Sequence, residues 1–257
     1  MPRPQALIQM WNPYRDFLIQ QHRFYVNEAS TRLMSQFDNI NADADKAADA
    51  WLARRDERFD PDRDDEGAIY EEAESVAIEF YCQLDGMREQ TRLSVVAGMF
   101  HAWEKNLKKW IVDELRRWRL GSHTIGMVWW ADFPKIMELL GRLGWAVQDE
   151  GFFALLNQCR CVVNVFKHGD GKSLAELKRD FPQYLIDPIN SKFGLPATEI
   201  EWLNHSHLQV TEAQVQDFSE AIIDFWRSVP ENMYEQEEVE LPSWFMKAVE
   251  QDLRAKS

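Results

Sequence analysis

Apolar positions recur every three or four residues along most of this chain, the spacing of amphipathic helices. Phe17, Leu18, Phe24, Tyr25, Leu33, Met34 and Phe37 keep that period. Asn12 stands as a cap before them, with Pro13 at the first helical position, and the pattern predicts a helix ending near 37–39. A second, Ala-rich helix is predicted over 41–59, with Trp51 and Leu52 on its apolar side. Asp60-Pro61-Asp62-Arg63-Asp64-Asp65-Glu66-Gly67 reads as a charged turn and linker. The longest pattern runs over 68–119, through Ile69, Ala73, Val76, Phe80, Leu84 and Met87, then Val95, Met99, Trp103, Leu107, Trp110, Ile111, Leu115 and Trp118. Globular helices usually run to about 20 residues, so a break near Asp85-Gly86 or a hairpin of two long helices is expected.

Gly121 and Gly126 are expected to bracket a loop, followed by a short helix from Phe133-Pro134 to Gly144. Residues 145–149 read as a connection. The next helix, 151–168, buries Phe152, Leu155, Leu156, Cys159, Val162, Val163 and Phe166, and Gly169 stops it. Ser173 and Glu176 have the spacing of a capping box for a short helix ended by Pro182. Residues 185–203 read as irregular, broken by Pro188, Gly194 and Pro196, with a short strand or turn over 199–203. Thr211 caps a helix through Val215, Phe218, Ile222, Phe225, Trp226 and Val229. An acidic segment, 231–240, precedes a last amphipathic helix with Trp244, Phe245, Ala248, Val249 and Leu253. These patterns predict an all-α helical bundle. Its expected divisions are an N-terminal helical region at 1–66, a helical core at 67–182, and a C-terminal irregular segment with helices at 183–257.

Composition narrows the chemistry. The 257 residues are 45% hydrophobic and include 11 Trp, which argues against disorder. Acidic side chains outnumber basic ones, 43 to 29, for a formal charge of -14. Such a chain repels phosphate backbones on average. Lys108-Lys109 and Arg116-Arg117-Trp118-Arg119, with Trp110 between them, make a local basic stretch. It reads first as a solvated helix face or an internal partner for acidic helices, and second as a nucleic-acid contact. Three Cys without a C-x-x-C fit a reducing compartment, and no metal or cofactor is expected. Met1 to Met10 lacks a long apolar run and no stretch approaches a membrane span, so a cytoplasmic protein is expected. Gly171-Lys172-Ser173 suggests a phosphate loop, but Phe166 stands where that motif needs its first glycine. His205 and His207 read as an exposed polar loop. His101 and Glu104 lie one turn apart on a mixed surface face, from which Glu104 would orient Arg160 or His168 if it faced their helix.

The polar side of the 151–168 helix carries Asn157, Arg160, Asn164 and the Lys167/His168 pair, three or four residues apart. Such groups can tie neighbouring helices together, or can bind an anion and move a proton. A long amphipathic helix followed by a second ending in Asn-x-x-x-His-Gly resembles the HEPN superfamily, helical domains of prokaryotic toxin–antitoxin and anti-phage systems. The resemblance covers about 68–180. Many members are metal-independent RNases whose Arg and His, four to six residues apart, meet across a dimer. Here seven residues separate Arg160 from His168, and Cys161 follows the Arg. The resemblance implies that His168 acts as general acid or base. Arg160 or Lys167 would stabilise phosphorane charge and Asn164 would hold the ring, with Asn157, Lys167 and Lys172 as substrate contacts. It implies a homodimeric defence or toxin–antitoxin component acting on RNA. The competing expectation is a non-catalytic helical protein that dimerises and binds a protein partner through its acidic surface and Trp-rich helices. A third is a small-ligand sensor with the polar stripe as its anion pocket.

Overall fold

The computed structural model describes residues 6–57, 59–60, 62–118, 120–187, 200–234 and 240–255. The described chain is mostly helical: α1 (Asn12–Arg32), α2 (Ile40–Asp56), α3 (Glu66–Arg116), α4 (Ser122–Trp130), α5 (Phe133–Arg142), α6 (Phe153–His168), α7 (Lys172–Asp180), α8 (Glu212–Ser228) and α9 (Ser243–Arg254). Two short strands, β1 (Ala6–Gln9) and β2 (Asn232–Tyr234), pair antiparallel. The chain divides into two compact units, one of Met1–Tyr25 with Val96–Ser257 and one of Val26–Val95. The expected breaks at Pro188, Gly194 and Pro196, the turn residue Pro61, the cation Arg119 and half of the acidic 231–240 segment, 235–239, lie outside the described residues.

Several local expectations are corrected. α3 is one continuous helix of 51 residues, with neither a break at Gly86 nor a hairpin. A helical glycine costs only about 1 kcal/mol relative to alanine, and Gly86 is flanked by the pairs Asp85–Arg88 and Glu89–Arg92 one turn apart. α1 ends at Arg32, and a separate 3₁₀ turn, Met34–Phe37, follows it. Gly126 lies inside α4 rather than closing a loop. Ser173 does not cap α7: the helix starts at Lys172 with Gly171 before it and no side-chain cap. The Thr211 cap forms, with reciprocal bonds between Thr211 and Gln214.

The larger unit is built around aromatic packing. Phe225 of α8 has ring neighbours at 5.1 Å in Trp103, 5.0 Å in Trp145 and 5.9 Å in Phe152. These come from α3, from the turn after α5, and from the entry to α6. Trp103 is fully enclosed, and its indole N–H has no hydrogen-bond acceptor. Gly98 permits close approach of α1, because a Cβ there would stand 2.0 Å from the Tyr25 hydroxyl.

Polar groups lock the periphery. The Trp118 and Trp110 indoles donate to the carbonyls of Leu7 (2.7 Å) and Gln9 (3.0 Å), and the Gln9 amide donates to Glu114 (2.9 Å). The interleaved tryptophans of the basic stretch therefore hold β1 onto α3. The α4 N-terminus is capped from far along the chain. Asp252 of α9 accepts from the amides of Gly121 (2.9 Å), His123 (3.0 Å) and Thr124 (2.9 Å) and from the Thr124 hydroxyl (2.6 Å). Burial pushes this carboxyl up, but the bonds from Thr124 and His123 outweigh it and hold the group well below the usual carboxylate range. At the other end of α4, buried Lys108 donates to the Trp129 carbonyl (3.3 Å), where a cation suits the helix dipole.

Asp252→Asn is expected to destabilise the fold by about 2–4 kcal/mol at pH 7, because an amide presents a donor to donors. The depressed folded pKa gives wild type its advantage above the unfolded value near 3.9, and that advantage fades as pH falls towards the folded value. Denaturant unfolding of both proteins at pH 7 and below pH 4 checks this: a gap that does not narrow in acid excludes the carboxylate as its source.

Candidate functional site

α6 buries Leu156, Cys159, Val162 and Val165 and turns Asn157, Arg160 and Asn164 to its half-buried side. Gly169, at φ 67°, ends the helix with its amide bonded 2.8 Å from the Val165 carbonyl. That left-handed conformation suits glycine, and it turns the chain directly into α7.

Arg160 is held on several sides. Its Nε donates to Asn157 Oδ1 at 2.8 Å, its Nη2 pairs with Glu176 of α7, and its guanidinium carbon lies 5.8 Å from the Phe133 ring centroid. The side chain is 13% exposed. Glu176, expected to cap α7, is instead the counter-ion of Arg160. The same Nη2 lies 3.1 Å from Cys161 Sγ. Burial pushes the Cys161 thiol up to about 12, even with the guanidinium drawing it down, so it stays protonated at neutral pH.

His168 and Lys167 are exposed at the other end of the stripe, and Lys172 is exposed at the start of α7. Arg160 and His168 are eight helical steps apart, about 12 Å along the axis. Arg160 is turned toward α5 and α7, so one chain does not gather these groups around a single phosphate. The structure joins Asn157 to Arg160. It leaves Asn164, Lys167, His168 and Lys172 without a recorded bond to either.

One partnership was not visible in the sequence. Asp170, just past Gly169, accepts from both the backbone amide and Nδ1 of His205, each at 2.9 Å. The His205 ring packs 3.7 Å from where a Gly169 Cβ would stand, so an oriented imidazole lies beside the end of α6. The exposed loop expected around His205 and His207 is a short 3₁₀ turn, capped by Asn204. Glu104 does not orient Arg160 or His168. It pairs with Lys108 at 2.9 Å and approaches His101 at 3.8 Å. Burial lowers the His101 pKa, Glu104 opposes it, and Lys167 of α6 lowers it further.

A cleft of about 540 Å³ lies between β1, α1 and α3, with Trp11, Tyr14 and Trp110 in its walls. Its one lining cation, Arg117, meets Glu114 at 3.1 Å, Asp113 pairs with Lys109 outside the lining, and Glu231 accepts from the neutral Asn12 amide at 2.9 Å. Among the described residues, no group of three or more His, Cys, Asp or Glu is placed to hold a metal ion. No described helix is long and apolar enough to cross a membrane.

Removing both partners of the half-buried pair, Arg160→Met with Glu176→Gln, is expected to cost less than the two single changes summed. The coupling should be about 1–3 kcal/mol in a double-mutant cycle read by denaturant unfolding. Additive costs would mean that Arg160 stands free of Glu176 in solution. Comparisons with protein-family models, with curated proteins and with solved structures find no match for this chain.

Proposed function

We propose that this chain is a helical, HEPN-like component of a prokaryotic defence or toxin–antitoxin system, working as a binding module rather than as a nuclease. The observation that carries the binding reading is the commitment of Arg160 to Glu176, Asn157 and Phe133. A guanidinium already neutralised by a carboxylate is poorly placed to stabilise charge developing on a phosphate. The stripe thereby becomes a brace between α6, α7 and α5. Recognition falls to the surface: a net charge of -14 favours a partner with a basic face, and Trp11 and Trp130, 72% and 87% exposed, offer aromatic contacts.

A second reading, metal-independent RNA cleavage by a homodimer, draws on the exposed His168 beside the Asp170–His205 pair. In that reading His168 exchanges the proton of the ribose 2′-OH, and the cation comes from Lys167 or from a second copy.

Purified protein incubated with RNA in EDTA separates the two. The binding reading expects no cleavage by folded wild type and no growth arrest on expression. Cleavage that disappears in both His168→Ala and Arg160→Ala would overturn it in favour of the nuclease.

A further inference from the structure

A cavity of about 250 Å³ lies among α1, α3 and α8, away from the α6 stripe. Its deep wall is Met99, Trp103 and Trp226, all at most 2% exposed. Its open side carries Gln21, Ala102 and Lys105, which are exposed, with half-buried Asn106 beside them. An apolar body with a few convergent polar groups at one end is the usual make-up of a small-molecule site.

The polar groups select a charge. Of the side chains lining the cavity, Lys105 is the one that carries a full charge, and no carboxylate lines it, in a chain with 43 acidic residues. Lys105 forms no ion pair among the described residues, unlike Arg117 of the larger cleft. The Asn106 amide donates to Gln21 Oε1 at 3.1 Å, which leaves its second N–H available at the same mouth. His22, in the wall, bonds Ser219 Oγ through Nε2 at 2.9 Å. Burial lowers its pKa to about 4, so it lines the cavity as a neutral ring and adds no second cation.

We infer that this cavity binds a small organic acid, its apolar body against Trp103 and Trp226 and its carboxylate at the Lys105 ammonium and the Asn106 amide. At roughly 30 Å³ per water-sized unit, the volume takes a body of about eight to ten non-hydrogen atoms. One aromatic ring with a short acidic arm has that size. The site is independent of the binding and nuclease readings, since it shares no residue with the α6 stripe.

Phenylacetate, 2-phenylethanol and phenethylamine share a ring and differ in the charge of the arm. Each is titrated into full-length protein at constant ionic strength, and the indole N–H resonances are followed by NMR. The expected result is saturable binding of phenylacetate that shifts the Trp103 and Trp226 signals, with phenethylamine at least about tenfold weaker. Lys105→Gln should weaken phenylacetate about threefold or more, in keeping with a partly exposed charge pair. Ala102→Phe, a change at an exposed position that fills the mouth, should abolish binding while leaving the spectrum folded. No saturable shift with phenylacetate, equal binding of the amine, or full binding in folded Ala102→Phe would each overturn the assignment.

Discussion

Phe225 is the point at which the larger unit is tied together. Its ring meets Trp103 edge-on and packs against Trp145 and Phe152, so one side chain on α8 gathers three aromatic rings, the farthest of them 122 positions away in sequence. Aromatic pairs add about 0.5–1.5 kcal/mol each beyond the area they bury. Because the same ring braces α3 and the entry to α6, the axis of α6 is set before any polar residue on it acts. Arg160 reaches Phe133 and Glu176 from that axis, and Trp103 and Trp226, which line the cavity, are both ring neighbours of Phe225.

The helices were legible where one face of the period is apolar and a local signal marks the end. α6 stops at Gly169, α5 begins at Phe133-Pro134, and α8 carries its own Thr211–Gln214 cap. Expectations failed where a partner far along the chain decides. Gly121 and Gly126 look like loop punctuation until Asp252 is brought to the amides of Gly121, His123 and Thr124. Ser173-x-x-Glu176 has the spacing of a capping box, but a half-buried guanidinium attracts the carboxylate more strongly than an exposed amide does. β1 and β2, of four and three residues, are too short for alternation to register, and Trp110, Trp118 and Glu114 supply the outer bonds of β1.

The candidate site shows the same division. Asn157, Arg160, Asn164 and His168 were identifiable as a stripe because helical spacing is periodic. Which way each would turn depends on α5 and α7, and helical spacing says nothing of those neighbours. Asp170 and His205 stand 35 residues apart in sequence, and the pair exists because the turn after Gly169 packs against the 205–207 turn. The cavity is less legible still, since Gln21 and His22, Lys105 and Asn106, and Trp226 come from three helices without a shared motif.

The capping of α4 by Asp252 also bears on the order in which the chain can fold as it leaves the ribosome. The amides at 121–124 have no partner of comparable strength nearby, and the carboxylate that satisfies them lies about 130 residues downstream. β1 waits in the same way for β2, more than 220 residues later. Contacts of such separation form late, and the surfaces they cover stay open meanwhile. During synthesis the N-terminus of α4 therefore stays without its carboxylate cap until α9 has been made.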